Sequence, residues 1–187
     1  MNDSKNFKKL FKFEKLRVYI LVVLVACAAL LLFGKLALLP VYIAVGIFLG
    51  YYTTLYAKFV PHITTESMTA MSILAGMIFG SSIGFWFGIL VSLIVYVAVG
   101  MLKYTTIVNA FVIATGGLYS GYLINVLDIS PAFIFGLSLM LRAITGVLIF
   151  WNLTSDRIEA IAHAVFDPLW NFFIYMPLIL PLYQLLR

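Results

Sequence analysis

Ser67 to Leu102 form a run of 36 residues without a single charge, with glycines at a four-residue beat: Gly76, Gly80, Gly84 and Gly88. As one helix the run would be about 54 Å long, whereas the hydrocarbon core of a bilayer is about 30 Å thick. It therefore crosses a membrane twice, or once with a break. The short halves Ser67–Gly80 and Ser82–Leu102, with Ser81 and Ser82 at the turn, favour two passes. Glycines at this spacing leave a helix bare where another backbone can come close. A chain that is 64% hydrophobic and 10% charged has more apolar surface than a soluble domain of this size can hide.

Further uncharged runs mark the other spans: Val18–Gly34, Leu36–Ala57, Tyr104–Leu127 and Pro168–Leu186, with Ile129–Ser155 broken only by Arg142. No strand-like alternation occurs, which argues against a β-barrel. The expectation is an all-α polytopic membrane bundle of six or seven helices with glycine-mediated close packing. It comprises a basic tail at 1–17 and one transmembrane domain at 18–187. Ser130-Pro131 reads as an N-cap followed by a first-turn proline. Asp156 and Glu159 have capping-box spacing, and Asp167-Pro168 reads as a kink or a fresh helix start.

Lys5, Lys8, Lys9, Lys12, Lys15 and Arg17 precede the first span, so the N-terminus is expected in the cytoplasm and the protein in the cell membrane. The later cations divide almost evenly under six or seven passes and decide little. Such a tail beside a span serves as a topology signal or an anchor to anionic lipid headgroups; nucleic acid is not an expected partner. Cys27 is the only cysteine, which excludes an intramolecular disulfide. Leu24-Val25-Ala26-Cys27 looks like a lipoprotein processing site, but the apolar residues that follow favour a retained helix.

Catalytic signatures are missing. No phosphate-binding glycine loop, no His/Cys cluster with metal spacing and no Gly-x-Ser-x-Gly motif occurs. An acid–base pair of His163 and Asp167 would lack a nucleophile or metal. No enzyme activity and no cofactor are expected.

Two features point to a site. Arg142 falls near the middle of its span, where an arginine costs roughly 2.5–3.5 kcal/mol, so it should face the bundle interior with a partner. His163, Asp167 and Asn171 follow at i, i+4 and i+8, with Tyr175 at i+12, and would line one helix face if the helix continues through Pro168. Asp167 is then the candidate counter-charge for Arg142. The two form either a structural ion pair or part of a pocket for a polar solute, with Asn109, Asn171 and His163 as further polar groups and Trp86 and Tyr175 as walls. Gly46/Gly50 and Gly117/Gly121 repeat the close-packing spacing, as helix glue or as faces for docking partner subunits.

The segment Ala75-Gly76-Met77-Ile78-Phe79-Gly80-Ser81-Ser82-Ile83-Gly84-Phe85-Trp86-Phe87-Gly88 resembles the second-to-third-helix turn of the substrate-binding S components of energy-coupling factor transporters. Val108-Asn109-Ala110-Phe111 to Gly116-Gly117-Leu118-Tyr119-Ser120-Gly121 is similar to their small-residue-rich fourth helix, and Asp167-Pro168-Leu169-Trp170-Asn171 to a polar last helix. The resemblance covers 67–186. It implies uptake of a vitamin or other micronutrient bound from outside, six helices with both ends in the cytoplasm, and docking onto a transmembrane coupling protein energised by two ATPases. The chain departs from that pattern in placing two spans ahead of the turn. The cell-shape membrane protein MreD is similar in bundle style and implies instead a non-transport scaffold that packs partner helices.

Overall fold

The computed structural model describes residues 34–59, 66–153 and 166–186. The chain divides into two compact units, Met1–Pro40 and Val41–Arg187. Of the first, only a 3-10 turn, Gly34–Leu38, and the opening of a helix are described. Residues 18–33 of the first apolar run, the basic tail, His62, the Asp156/Glu159 pair and His163 lie outside the described residues. All described regular structure is helical: α1 (Leu39–Phe59), α2 (Met68–Phe79), α3 (Ser81–Val99), α4 (Tyr104–Val126), α5 (Pro131–Leu153) and α6 (Phe166–Leu186). Five of these are long and apolar enough to cross a membrane; α2 is not.

The uncharged run is broken at Gly80, whose φ of 99° and ψ of 164° are open only to a residue without a Cβ. The chain doubles back there, and Ser72 Oγ donates to the Gly84 carbonyl across the α2–α3 hairpin at 3.0 Å. At the far end Gly100 is left-handed (φ 70°, ψ 33°). Its N–H bonds to Val97 O, and that of Met101 to Tyr96 O. These are the two bonds of a Schellman stop. The helix α5 opens at Pro131 with Ser130 Oγ 3.4 Å from the Phe133 N–H.

The centre of the bundle is α2. Every residue from Met68 to Ile78 is buried, so no face of this helix meets lipid. It packs against α3 and α4 and, less extensively, against α6 and α5, and Tyr42 of α1 donates to its Met71 carbonyl. Small residues set the spacing: a Cβ on Gly76 would strike the Gly117 carbonyl oxygen, one on Gly84 would lie 2.6 Å from Gly76 Cα, and one on Gly88 2.6 Å from Ala114 Cα. Gly46 and Gly50 of α1 face Phe87, Val95 and Met68, while Gly121 faces the Ser81 backbone. The chain's own helices lie against Gly46, Gly50, Gly117 and Gly121, as the helix-glue alternative has it.

Length then creates a recess. At 1.5 Å per residue α2 is about 18 Å long and α3 about 28 Å. Since α2 and α3 share the Gly80 turn, α2 begins about 10 Å short of the end of α3. Around that recessed start gather the ends of α1 and α3 and the start of α6: Thr53 Oγ1 lies 3.1 Å from Ser67 Oγ, Lys58 Nζ donates to Val99 O at 3.0 Å, and the Ala70 N–H donates to Asn171 Oδ1 at 3.1 Å.

Candidate functional site: a buried charge cluster at the start of α2

Arg142 leaves α5 beside Gly116, where a Cβ would sit 3.8 Å from the Arg142 Cβ. From mid-span the side chain runs toward the recessed start of α2 and ends 1% exposed. Its Nη2 lies 3.5 Å from Asp167 Oδ2, 3.8 Å from Glu66 Oε2 and 3.5 Å from Asn109 Oδ1. Asn109 in turn donates to the Tyr96 hydroxyl at 2.8 Å. Three helices and the segment before α2 thus meet at one guanidinium, and α3 joins them through Tyr96.

Asn171 completes the arrangement. Its Oδ1 accepts from the Ala70 N–H, and its Nδ2 donates to the Asp167 carbonyl at 2.8 Å. The first N–H groups of a helix have no partner within that helix, and this one borrows a cap from a residue 101 positions away. Glu66 and Asp167 also bring negative charge to the positive end of the α2 dipole. Asn171 is aimed there by unusual winding: Asn171–Tyr175 form a π-helical turn just ahead of Pro177. A proline ring clashes with the carbonyl four residues back, and the wider turn relieves that contact.

Arg142 and Asp167 meet as the sequence reading expects; Asn109 joins them by hydrogen bonds between helices, and Asn171 through the cap. Tyr175 is half-buried on the same face. Trp86 is elsewhere: it is 57% exposed on the outer face of α3 and forms no wall of the cluster. His163 lies outside the described residues. Glu66 and Tyr96 were not anticipated. A signal for Glu66 existed, since it is the acid immediately before the longest uncharged run. Tyr96 carried none, because a tyrosine near a span end also serves as an interfacial anchor.

The distances of 3.5–3.8 Å exceed those of direct charge-assisted hydrogen bonds, about 2.7–2.9 Å, and Arg142 Nε has no hydrogen-bond partner among the described residues. Arg142 is tightly enclosed, and its contacts to the described partners are long. A cavity of about 530 Å³ lies on the outer side of α5 and α6, lined by apolar residues including Gly136, Met140, Ala143, Leu169 and Phe172. It is an open furrow rather than an enclosed polar chamber.

No known protein family, characterised protein or solved structure shows detectable similarity to this chain.

Proposed function

We propose that this chain is a non-catalytic, multi-pass protein of the cell membrane whose task is helix packing, with the Arg142 cluster as its internal lock. The observation that carries this reading is the guanidinium itself, 1% exposed and enclosed by two carboxylates and an amide. A buried ion pair of this kind specifies which helices meet and in what register. On this reading the broad exposed faces, such as Val41, Phe48, Tyr52 and Tyr56 on α1, meet lipid or partner helices, in the manner of the MreD-like scaffold.

A seven-pass topology fits the break at Gly80 if the 18–34 run also crosses. Lys58, Lys103 and Arg157 then share the cytoplasm with the basic tail, as the positive-inside rule favours. The cluster falls in the cytoplasmic half of that arrangement.

A second reading, a solute-binding subunit like the S components, is favoured by the long contacts of Arg142 and by its Nε, which has no hydrogen-bond partner among the described residues. Helices interrupted near a buried charge are also a feature of membrane transport sites. Against it, the cytoplasmic placement that the seven-pass topology would give the cluster is opposite to the side from which S components take their solute.

The triple variant Glu66→Gln, Arg142→Met, Asp167→Asn separates the two readings. It keeps side-chain volume while removing every charge of the cluster. If the cluster is a lock, the variant folds and restores the phenotype of a deletion strain as wild type does. A folded variant that fails to restore it would establish a binding role instead.

A further inference from the structure

The two halves of α6 are attached in different ways. Of Phe166–Leu186, only Asp167, Pro168, Asn171, Ile179 and Tyr183 are buried. Among the described residues the first half buries one apolar residue, Pro168, and makes polar contacts through Asn171 to Ala70 and Asp167 to Arg142. The second half is held by the apolar side chains Ile179 and Tyr183. Between them lie the π-helical turn Asn171–Tyr175 and then Pro177 and Pro181, neither of which can donate the backbone hydrogen bond that stiffens a helix. π-Turns and prolines are where membrane helices bend.

Position adds to this. The furrow between α5 and α6 is lined on one side by Leu139 and Ala143, which are close in sequence to Arg142, and on the other by Pro168, next to Asp167. The Arg142–Asp167 pair closes the inner side of the same helix pair. In a bilayer, apolar contact between helices competes with equally apolar lipid, so the first half of α6 stays docked only while Asn171 and Asp167 keep their polar partners.

We propose that the first half of α6 is a latch. It swings away from α5 about the Asn171–Tyr175 turn while Ile179 and Tyr183 keep the second half in place. The swing joins the apolar furrow to the buried charge cluster and gives that cluster a lateral route to the lipid phase. Asn171 is the catch.

Pulsed electron spin resonance on protein reconstituted into lipid bilayers tests this, with the single native cysteine removed by Cys27→Ser. One spin-label pair, at Ile94 and Leu169, reports the first half; a second, at Leu90 and Leu182, reports the other. All four positions are exposed. The latch predicts two distances for the first pair in the wild-type background and one for the second. Asn171→Leu should raise the minor population of the first pair roughly fivefold, the equilibrium equivalent of one buried hydrogen bond, and leave the second pair unchanged. Should that variant not fold, Asp167→Asn, which keeps the volume and weakens the ion pair, is expected to shift the same population. A single Ile94–Leu169 distance in wild type and variant alike overturns the proposal. So does parallel broadening of both pairs, which would mean that α6 moves as one piece.

Discussion

Replacing Arg142 with methionine, which keeps the length of the side chain and removes its charge, should destabilise the folded bundle by about 3 kcal/mol. Removing one partner of a buried ion pair costs about 3–5 kcal/mol. The low end applies because the contacts are 3.5 and 3.8 Å long, beyond direct hydrogen-bond range. The reference state acts in the same direction. In wild type, separating the helices within the bilayer exposes an arginine to lipid at roughly 2.5–3.5 kcal/mol, which favours the packed form; the methionine variant loses that bias. For a chain of this size each kcal/mol moves the melting temperature by about 2–4 °C, so a drop of roughly 6–12 °C is expected. Equilibrium unfolding in mixed micelles, followed by circular dichroism alongside a thermal melt, measures both quantities. The triple variant Glu66→Gln, Arg142→Met, Asp167→Asn should recover most of the loss, since a neutral cluster strands no charge. An Arg142→Met protein within about 0.5 kcal/mol of wild type, a difference typical of a surface change, would refute the reasoning. A triple variant less stable than Arg142→Met would do the same.

Gly76→Ala should cost about 1–3 kcal/mol through overpacking, because its Cβ meets the Gly117 backbone, whereas Gly136→Ala, whose Cβ would lie 3.4 Å from the Phe172 ring, should be nearly neutral in the same unfolding assay. Gly80→Ala has open space around it, so its expected loss of about 1–3 kcal/mol is purely conformational, and a loss near zero would show that the turn adopts another geometry. Tyr42→Phe removes a hydroxyl that donates to Met71 O at 2.6 Å and should lower stability by about 1 kcal/mol. Impermeant thiol labelling of single cysteines at Lys58, Lys103 and Asp128, in a Cys27→Ser background, should find the first two on one side of the membrane and the third on the other. Labelling of 58 and 103 from opposite sides would mean that 67–102 crosses once.

Much of the bundle was legible in one dimension because the bilayer imposes a one-dimensional rule. A backbone without water must bond to itself, and a span must be apolar for a set length. Arg142 and Asp167 were readable as a pair for the same reason, since an ionisable group in a span needs company. The break at Gly80 was half-legible: the glycines and serines marked a turn, but not that the first limb would be 12 residues long and buried on every face. Glu66 was harder still, because a carboxylate beside a span ordinarily meets water. Only the shortness of α2 carries it into the cluster.

Composition and the spacing of charges, then, determined a helical chain suited to a membrane and a cation that must turn inward. Tertiary structure decided which groups answer that cation, that the Gly46/Gly50 and Gly117/Gly121 faces are spent on the chain's own helices, and that Trp86 looks outward. The reason is geometric. Hydropathy reports how deep a residue sits along the membrane normal. Which neighbour it meets at that depth depends on how each helix is rotated about its axis and where it stops, and here a positive-φ glycine and a π-helical turn set both.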